Sequence, residues 1–307
     1  CLTVNKVCGS GLKSVMLAAQ AIALGDAEVI VAGGMESMSN VPYILEKART
    51  GYRMGHGQLI DDMIKDGLWD VYNDFHMGNA GEICAKECAI TREAQDEYAI
   101  LSYKRAIDAQ KNGLFKEEIV KVEIPQRGTD AIIVSEDEEP KKVKFEKITS
   151  LKPAFKSDGT ITAANASKIN DGAAAVVVMS MDKAKQLGVK PLARIVSYAS
   201  VAKKPEWFTT APADVILKIL NKAKLSKEQI DLFEINEAFA VVTLVVNQII
   251  GLDVNKVNVN GGAVALGHPI GASGTRILVT LLHAMKQRNV KRGMAALCIG
   301  GGEASGM

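Results

Sequence analysis

The chain has 307 residues, 48% of them hydrophobic, with a net charge of +2 at pH 7; that is enough for one large core or two coupled ones and too little positive excess for a nucleic-acid binder. Aromatics make up 5% while glycines number 27, which suits close-packed α/β layers better than a sandwich. No uninterrupted apolar run reaches the roughly 18 residues of a membrane span, and five cysteines in a chain of this length point to free thiols in a reducing compartment, not to a disulfide framework.

The chain opens on Cys1-Leu2-Thr3-Val4, without a Met. This reads as mid-strand, and the expectation is that further residues precede it, so a targeting peptide is left unread. Residues 12–24 are spaced as a helix, with Val15, Leu17, Ala18, Ala21 and Ile22 on an apolar face. Gly25-Asp26 ends it, and "EVIVAGG" (28–34) reads as a buried strand. A strand–helix–strand unit of this kind predicts a parallel sheet.

From about 40 to 160 the texture changes to scattered Gly, Asp, Lys and Met, with a charged run at 135–147. Only 92–110 predicts a long helix, with Thr91 as its cap and Glu93 in the first turn. This block reads as an inserted lid. A buried strand follows at 173–180. After Pro191 come a strand (192–200), a helix (213–223), "LFEIN" as a strand, a helix (238–250), "KVNVNGG" (256–262) as a strand, and a final strand approach at "EASGM". The expected domains are an N-terminal half (1–39 and 161–187), the lid (40–160) and a C-terminal half (188–307).

Two segments share one grammar. Residues 8–37 and 270–305 each run from a small-residue G-x-S-G or G-A-S-G turn through a long amphipathic helix into a buried strand and a Gly-Gly pair. Such a repeat predicts a pseudo-twofold, with a shared site where the glycine-rich ends meet.

Cys8 lies at the lip of the first helix, where unpaired N–H groups and the helix dipole favour thiolate and can lower a thiol from ~8.5 to roughly 3.5–7.5. Gly9 and Gly11 admit close approach to the backbone. A lone cysteine is more often structural, so both readings stay open on local sequence. His268, in "GGAVALGHPIGASG", sits in a glycine-rich turn with no apolar face of its own, unlike His56 and His283. Cys298 ends the repeated strand, and Asn236 stands at a strand-to-helix corner, where simple capping is the plainer role. Metal ligation by these residues is disfavoured, because there is no CxxC and the Cys84-x3-Cys88 pair belongs to the lid.

The stretches "NKVCGSG", "VAGGMESMSN", "YNDFHMG", "TAANASKINDGAAA", "INEAFA", "GGAVALGHPIGASG" and "CIGGGEASGM" resemble the thiolase family, and within it the biosynthetic acetyl-CoA acetyltransferase branch, over nearly the whole chain and in the family's order. The resemblance implies about 80 residues of a typical member ahead of Cys1. It implies an α/β fold of five αβαβα layers, in two similar halves with an inserted lid. It implies that Cys8 is acylated by an acyl-CoA, with His268 taking its proton. Cys298 would then deprotonate a second acetyl-CoA, whose carbanion attacks acetyl-Cys8. His268 and a water on Asn236 would hold the enolate, and the N–H groups of Cys8 and Gly300 the tetrahedral oxyanion.

By the same resemblance His76, Met77, Phe155, Ala163, Ser167, Ala238 and Phe239 line the acyl-CoA path, Met77 narrowing the acyl pocket. Lys141, Lys142 and Lys144 are candidates for the CoA phosphates, with a solvated charge run as the alternative. No cofactor is implied beyond the CoA thioester substrates, with a potassium ion in some relatives. Pro140 stands where others place an arginine near the nucleotide, and the tyrosine that helps bind potassium in some relatives is lacking here. The implied partners are acetyl-CoA, acetoacetyl-CoA and CoA, with neither nucleic acid nor membrane, in a homotetramer. The implied compartment is the cytoplasm of a bacterium or a mitochondrion. The competing readings are a degradative 3-ketoacyl-CoA thiolase of broader chain length, which "HMG" disfavours, and a non-catalytic CoA-binding relative. Carrier-protein condensing enzymes lack the second cysteine.

Overall fold

The structure is a computed structural model that describes residues 1–307. In chain order it carries α1 (Ser10–Leu24), β1 (Val29–Ser37), β2 (Tyr43–Ile44), β3 (Ile60–Asp61), β4 (Trp69–Asp70), β5 (Phe75–His76), α2 (Met77–Glu87), α3 (Arg92–Lys111), β6 (Val122–Ile124), β7 (Ile132–Val134) and β8 (Asp171–Met179). There follow α4 (Met181–Gln186), β9 (Ala199–Ala202), α5 (Ala211–Ala223), β10 (Leu232–Ile235), α6 (Ala240–Ile250), α7 (Ala263–Leu266), α8 (Ser273–Arg288), β11 (Gly293–Ile299) and β12 (Glu303–Gly306).

The long helices form where 3.6-residue periodicity is strongest. Thr91 caps α3 by accepting from the Ala94 N–H at 3.2 Å, as its position predicts. The strands depart further from expectation. β1 pairs antiparallel with β8, Ala32 facing Val176, so the parallel arrangement predicted for the first half is not formed. Neither strand is buried on both faces, since Val31 is 72% and Val177 59% exposed. An apolar run fixes a strand but not how many of its faces are covered. The predicted strand at 192–200 shrinks to β9. "KVNVNGG" makes only isolated bridges, Phe233 to Val257 and Val259 to Gly261, and residues 1–6 form no strand.

The second sheet has the order β10-β11-β12-β9, with β10 and β11 parallel and the other pairs antiparallel. Helices α1 and α8 pack side by side between the two sheets, and α5 covers the outer face of the second. The span Val7–Leu24 has 18 residues at a mean hydropathy of 1.5, so by length and composition one helix could cross a membrane, contrary to the sequence expectation. Here Leu12, Val15 and Met16 are buried in a core with Ile277, Leu281 and Leu297, which accounts for its apolar character without lipid.

The repeat meets itself at α1 and α8. A Cβ on Gly11 would lie 2.8 Å from the Thr275 nitrogen, and a Cβ on Gly274 would lie 2.4 Å from the Leu12 nitrogen. The two helix starts cross backbone to backbone at equivalent positions, as a pseudo-twofold requires. The two units differ beyond their strands. β1 runs straight through Gly33-Gly34, whereas β11 stops at Ile299. Gly301 and Gly302, at φ +88° and +90°, then turn the chain back into β12.

Candidate active site

Cys8 sits in a single 3-10 turn, Val7–Gly9, immediately before α1. Val7 holds φ +47°, a costly conformation for a β-branched residue. The turn is held on all sides. Val7 N–H donates to Asn5 Oδ1 at 3.0 Å, Lys6 N–H to Ser10 Oγ at 2.8 Å, and Ser10 Oγ to the Val7 carbonyl at 2.7 Å. A sharp, strained turn that lifts a nucleophile onto a helix start is a recurrent catalytic device.

The main-chain N–H groups of Gly300 and of Cys8 itself stand near enough to the Cys8 sulfur to stabilise a charge on it. They favour thiolate, but burial outweighs them, and the Glu36 carboxylate adds to it, pushing the thiol up to about 11. The lowered thiol expected from the helix terminus is therefore reversed, because desolvation of the sulfur exceeds what two donors return. Glu36 also ties the halves together, accepting from the Gly271 N–H at 2.9 Å.

Cys298, near the end of β11, is 1% exposed. Burial holds its thiol well above the ordinary value, and a charge on Cys8 or on Cys84 raises it further. Cys8 and Cys298 thus come from segments 290 positions apart in sequence and lie close enough to feel one another.

His268 is buried, and its main-chain N–H donates to the Lys168 carbonyl at 3.0 Å. Its Nδ1 pairs with Ser273 Oγ, which donates its only proton to the Pro269 carbonyl at 2.9 Å. With that proton on Pro269, Nδ1 carries hydrogen and Nε2 keeps a lone pair facing the Asn236 Nδ2 donor at 3.4 Å. Burial and the Arg276 charge lower the imidazole to about 4, so it is a neutral base at physiological pH. Asn236 Oδ1 is buried and accepts from no protein group.

Glu237 organises the corner that holds Asn236. Its carboxylate accepts from Tyr98 Oη at 2.8 Å, Ser102 Oγ at 2.7 Å, Asn258 Nδ2 at 3.0 Å and the Val264 N–H at 3.0 Å. These donors come from α3, from the 258 turn and from α7, the short helix ahead of His268. "INEAFA" displays the residue but not its partners. Ser273 was likewise hidden within "GASG", and nothing in the sequence signals the strained Val7.

The remaining site residues form a wall beside this centre. His76 caps α2, accepting from the Gly78 N–H at 3.1 Å, and its ring stacks on Phe155 with centroids 4.7 Å apart. Phe155 meets Phe239 edge-on at 6.0 Å. Met77 reaches Gly300, where a Cβ would lie 2.9 Å from its Cε. Ala166 bridges Phe239, and the Ser167 N–H donates to the Ala238 carbonyl at 3.1 Å. Ala163 lies exposed at the outer end of the same loop. Lys141 and Lys142 do not project freely: the first pairs with Glu136, the second with Glu138 and Glu139.

The sequence matches two family profiles, described as "Thiolase, N-terminal domain" over residues 1–182 and "Thiolase, C-terminal domain" over 189–307. It is 57% identical over 302 residues to the acetyl-CoA acetyltransferase of Cupriavidus necator, covering 98% of this chain and 77% of that protein. It is 56% identical over 300 residues to a probable acetyl-CoA acetyltransferase of Dictyostelium discoideum, covering 98% and 72%. The crystal structure of the Bacillus anthracis acetyl-CoA acetyltransferase superposes with a TM-score of 0.96 at 44% identity, covering 99% of this chain and 77% of that one.

Proposed function

The chain belongs to the thiolase family, and from that premise we propose that it is an acetyl-CoA C-acetyltransferase, joining two acetyl-CoA into acetoacetyl-CoA and CoA and catalysing the reverse thiolysis. The single observation that carries the reading is the seating of the Cys8 turn against the end of β11 that bears Cys298 and leads into Gly300, where a Cβ on Gly9 would lie 2.4 Å from Ile299 Cδ1.

In the first half-reaction Cys8 Sγ attacks the thioester carbonyl carbon as its proton passes to His268 Nε2. The C–S bond to CoA then breaks, and CoA leaves as the thiol with that proton. A base held near 4 and a thiol held near 11 rest in their neutral forms, so proton transfer accompanies attack and no ion pair precedes it. The N–H groups of Cys8 and Gly300 receive the tetrahedral oxyanion.

In the second half-reaction the Cys298 thiolate takes an α-proton from a second acetyl-CoA. The new carbanion attacks the acetyl carbonyl, a C–C bond forms, and the bond to Cys8 breaks. The burial that makes the Cys298 thiolate scarce also makes it a strong base once formed. The proton that Cys298 gives up in forming its thiolate rests on His268 Nε2, which with Asn236 beside it holds the enolate oxygen and then returns that proton to the departing Cys8 sulfur.

Met77 against Gly300 and the His76–Phe155–Phe239 wall favour a short acyl group. The discriminating experiment is a chain-length series of 3-ketoacyl-CoA thiolysis. We expect kcat/KM for acetoacetyl-CoA to exceed that for the six-carbon homologue by about tenfold or more, the discrimination a restricted apolar pocket can supply for extra methylenes. Equal or rising values with chain length would favour the degradative alternative. A homotetramer is the expected assembly, checked by light scattering.

A further inference from the structure

In some relatives the resemblance includes a potassium ion, and the chemistry of the acyl-CoA loop bears on whether one fits here. A monovalent cation in a protein is held by converging main-chain carbonyls. Two carbonyls of the 163–168 loop do converge, those of Ala163 and Ala166, and the group they hold is the Lys168 ammonium, at 2.5 and 3.0 Å. The Tyr103 ring from α3 covers it, with Nζ 5.6 Å from the centroid. The acidic group whose charge it feels is Glu139, which also pairs with Lys142 at 2.7 Å. The cradle therefore does not fit a free cation, because the chain's own ammonium fills it.

The loop stapled in this way touches both halves of the site. Asn165 accepts the Ala240 N–H at 2.8 Å through its carbonyl, Ser167 donates to Ala238, and the Lys168 carbonyl accepts the His268 N–H at 3.0 Å.

We propose that Lys168 is a tethered monovalent cation, a positioning residue that fixes the acyl-CoA loop against Phe239 and His268 and leaves the enzyme with no need of a potassium ion there. This rests on the acetyltransferase reading above. Burial lowers the ammonium to about 8, so it is charged at neutral pH. The staple costs no binding of a free ion, since the cation is covalently attached.

The test uses the full chain in buffers whose only cation is tetramethylammonium, too large for the cradle, with potassium or ammonium chloride added. Wild-type activity should be the same, within about twofold, in all three. K168A should raise the KM for acetyl-CoA about tenfold or more, the scale of two lost charge-assisted hydrogen bonds, with a smaller loss in kcat. Potassium or ammonium ion should restore that KM, and tetramethylammonium should not. K168M, which keeps the stem and lacks the charge, should show the raised KM without rescue, and thermal melts report that both variants fold. Potassium activation of the wild type, an unchanged KM in folded K168A, or a raised KM in K168A that no small cation restores would each overturn the proposal. Acetylation of Cys8 in the wild type, read by mass, is a separate arm: its absence would sink the acetyltransferase reading rather than the role of Lys168.

Discussion

Ser273 fixes the tautomer of His268. Its hydroxyl lies against His268 Nδ1 and 2.9 Å from the Pro269 carbonyl, and with the Asn236 Nδ2 donor facing Nε2 at 3.4 Å the arrangement selects the imidazole that donates through Nδ1 and keeps its lone pair on Nε2. One serine at the start of α8 thus decides which nitrogen can accept the Cys8 proton. S273A leaves the ring in place and frees its tautomer. Cys8 acetylation by acetyl-CoA should slow by about 10- to 100-fold, the usual effect of losing an orienting partner, with acetyl-CoA binding little changed. Rapid-quench mass measurement reads the rate, and an undiminished rate would remove the serine from the mechanism.

Cys8 should react as a thiol with a high pKa. With the sulfur near 11, alkylation by iodoacetamide, which requires thiolate, should rise about tenfold per pH unit from 7 to 10. Acetylation uses the neutral pair, and with His268 near 4 its rate should be level between pH 5 and 9. Protonation of His268 abolishes the base, so the acid limb lies below pH 5. Alkylation that saturates by pH 7 would show that the helix start, not burial, governs this sulfur.

The crossing of α1 and α8 should tolerate no side chain at its centre. G274A places a methyl 2.4 Å from the Leu12 nitrogen, where backbone must move. Overpacking of this kind costs about 1–3 kcal/mol. G25A is the comparison, at φ +83° in the α1 cap with open space around it, where only backbone strain of about 1 kcal/mol applies. Thermal melting should rank G274A below G25A, and the reverse order would mean that the crossing is loose.

Much of this molecule was legible from its residues, and the parts that were not share a cause. Helices α1, α3 and α5 follow from apolar spacing, which survives tertiary context over three or more turns. The faces of β1 and β8 did not follow, since "VIVAGG" and "AAAVVV" look alike whether one or both faces are covered. Cys8, His268, Asn236 and Cys298 stand out singly because each sits in a short glycine- or corner-bearing motif, and it is the family resemblance that joins them into one set. Their electrostatics were not readable. Whether Cys8 feels the helix start or the loss of water more strongly depends on what surrounds it, and that includes Gly300 and Glu36 from distant segments, with Ile299 against the neighbouring Gly9. Glu237 was unreadable for the same reason, its donors arriving from three separate stretches.

The most direct test of two sulfurs with divided labour is a single-turnover experiment on C298A beside C8S, each mixed with labelled acetyl-CoA and analysed for acetyl-protein and acetoacetyl-CoA. The division of labour predicts that C298A accumulates one acetyl group on Cys8 and forms acetoacetyl-CoA at least about a thousandfold more slowly than wild type, a loss on the scale of removing a catalytic base, while C8S takes up no label. Acetoacetyl-CoA produced by C298A at the wild-type rate, or a stable acetyl group on C8S, would contradict it.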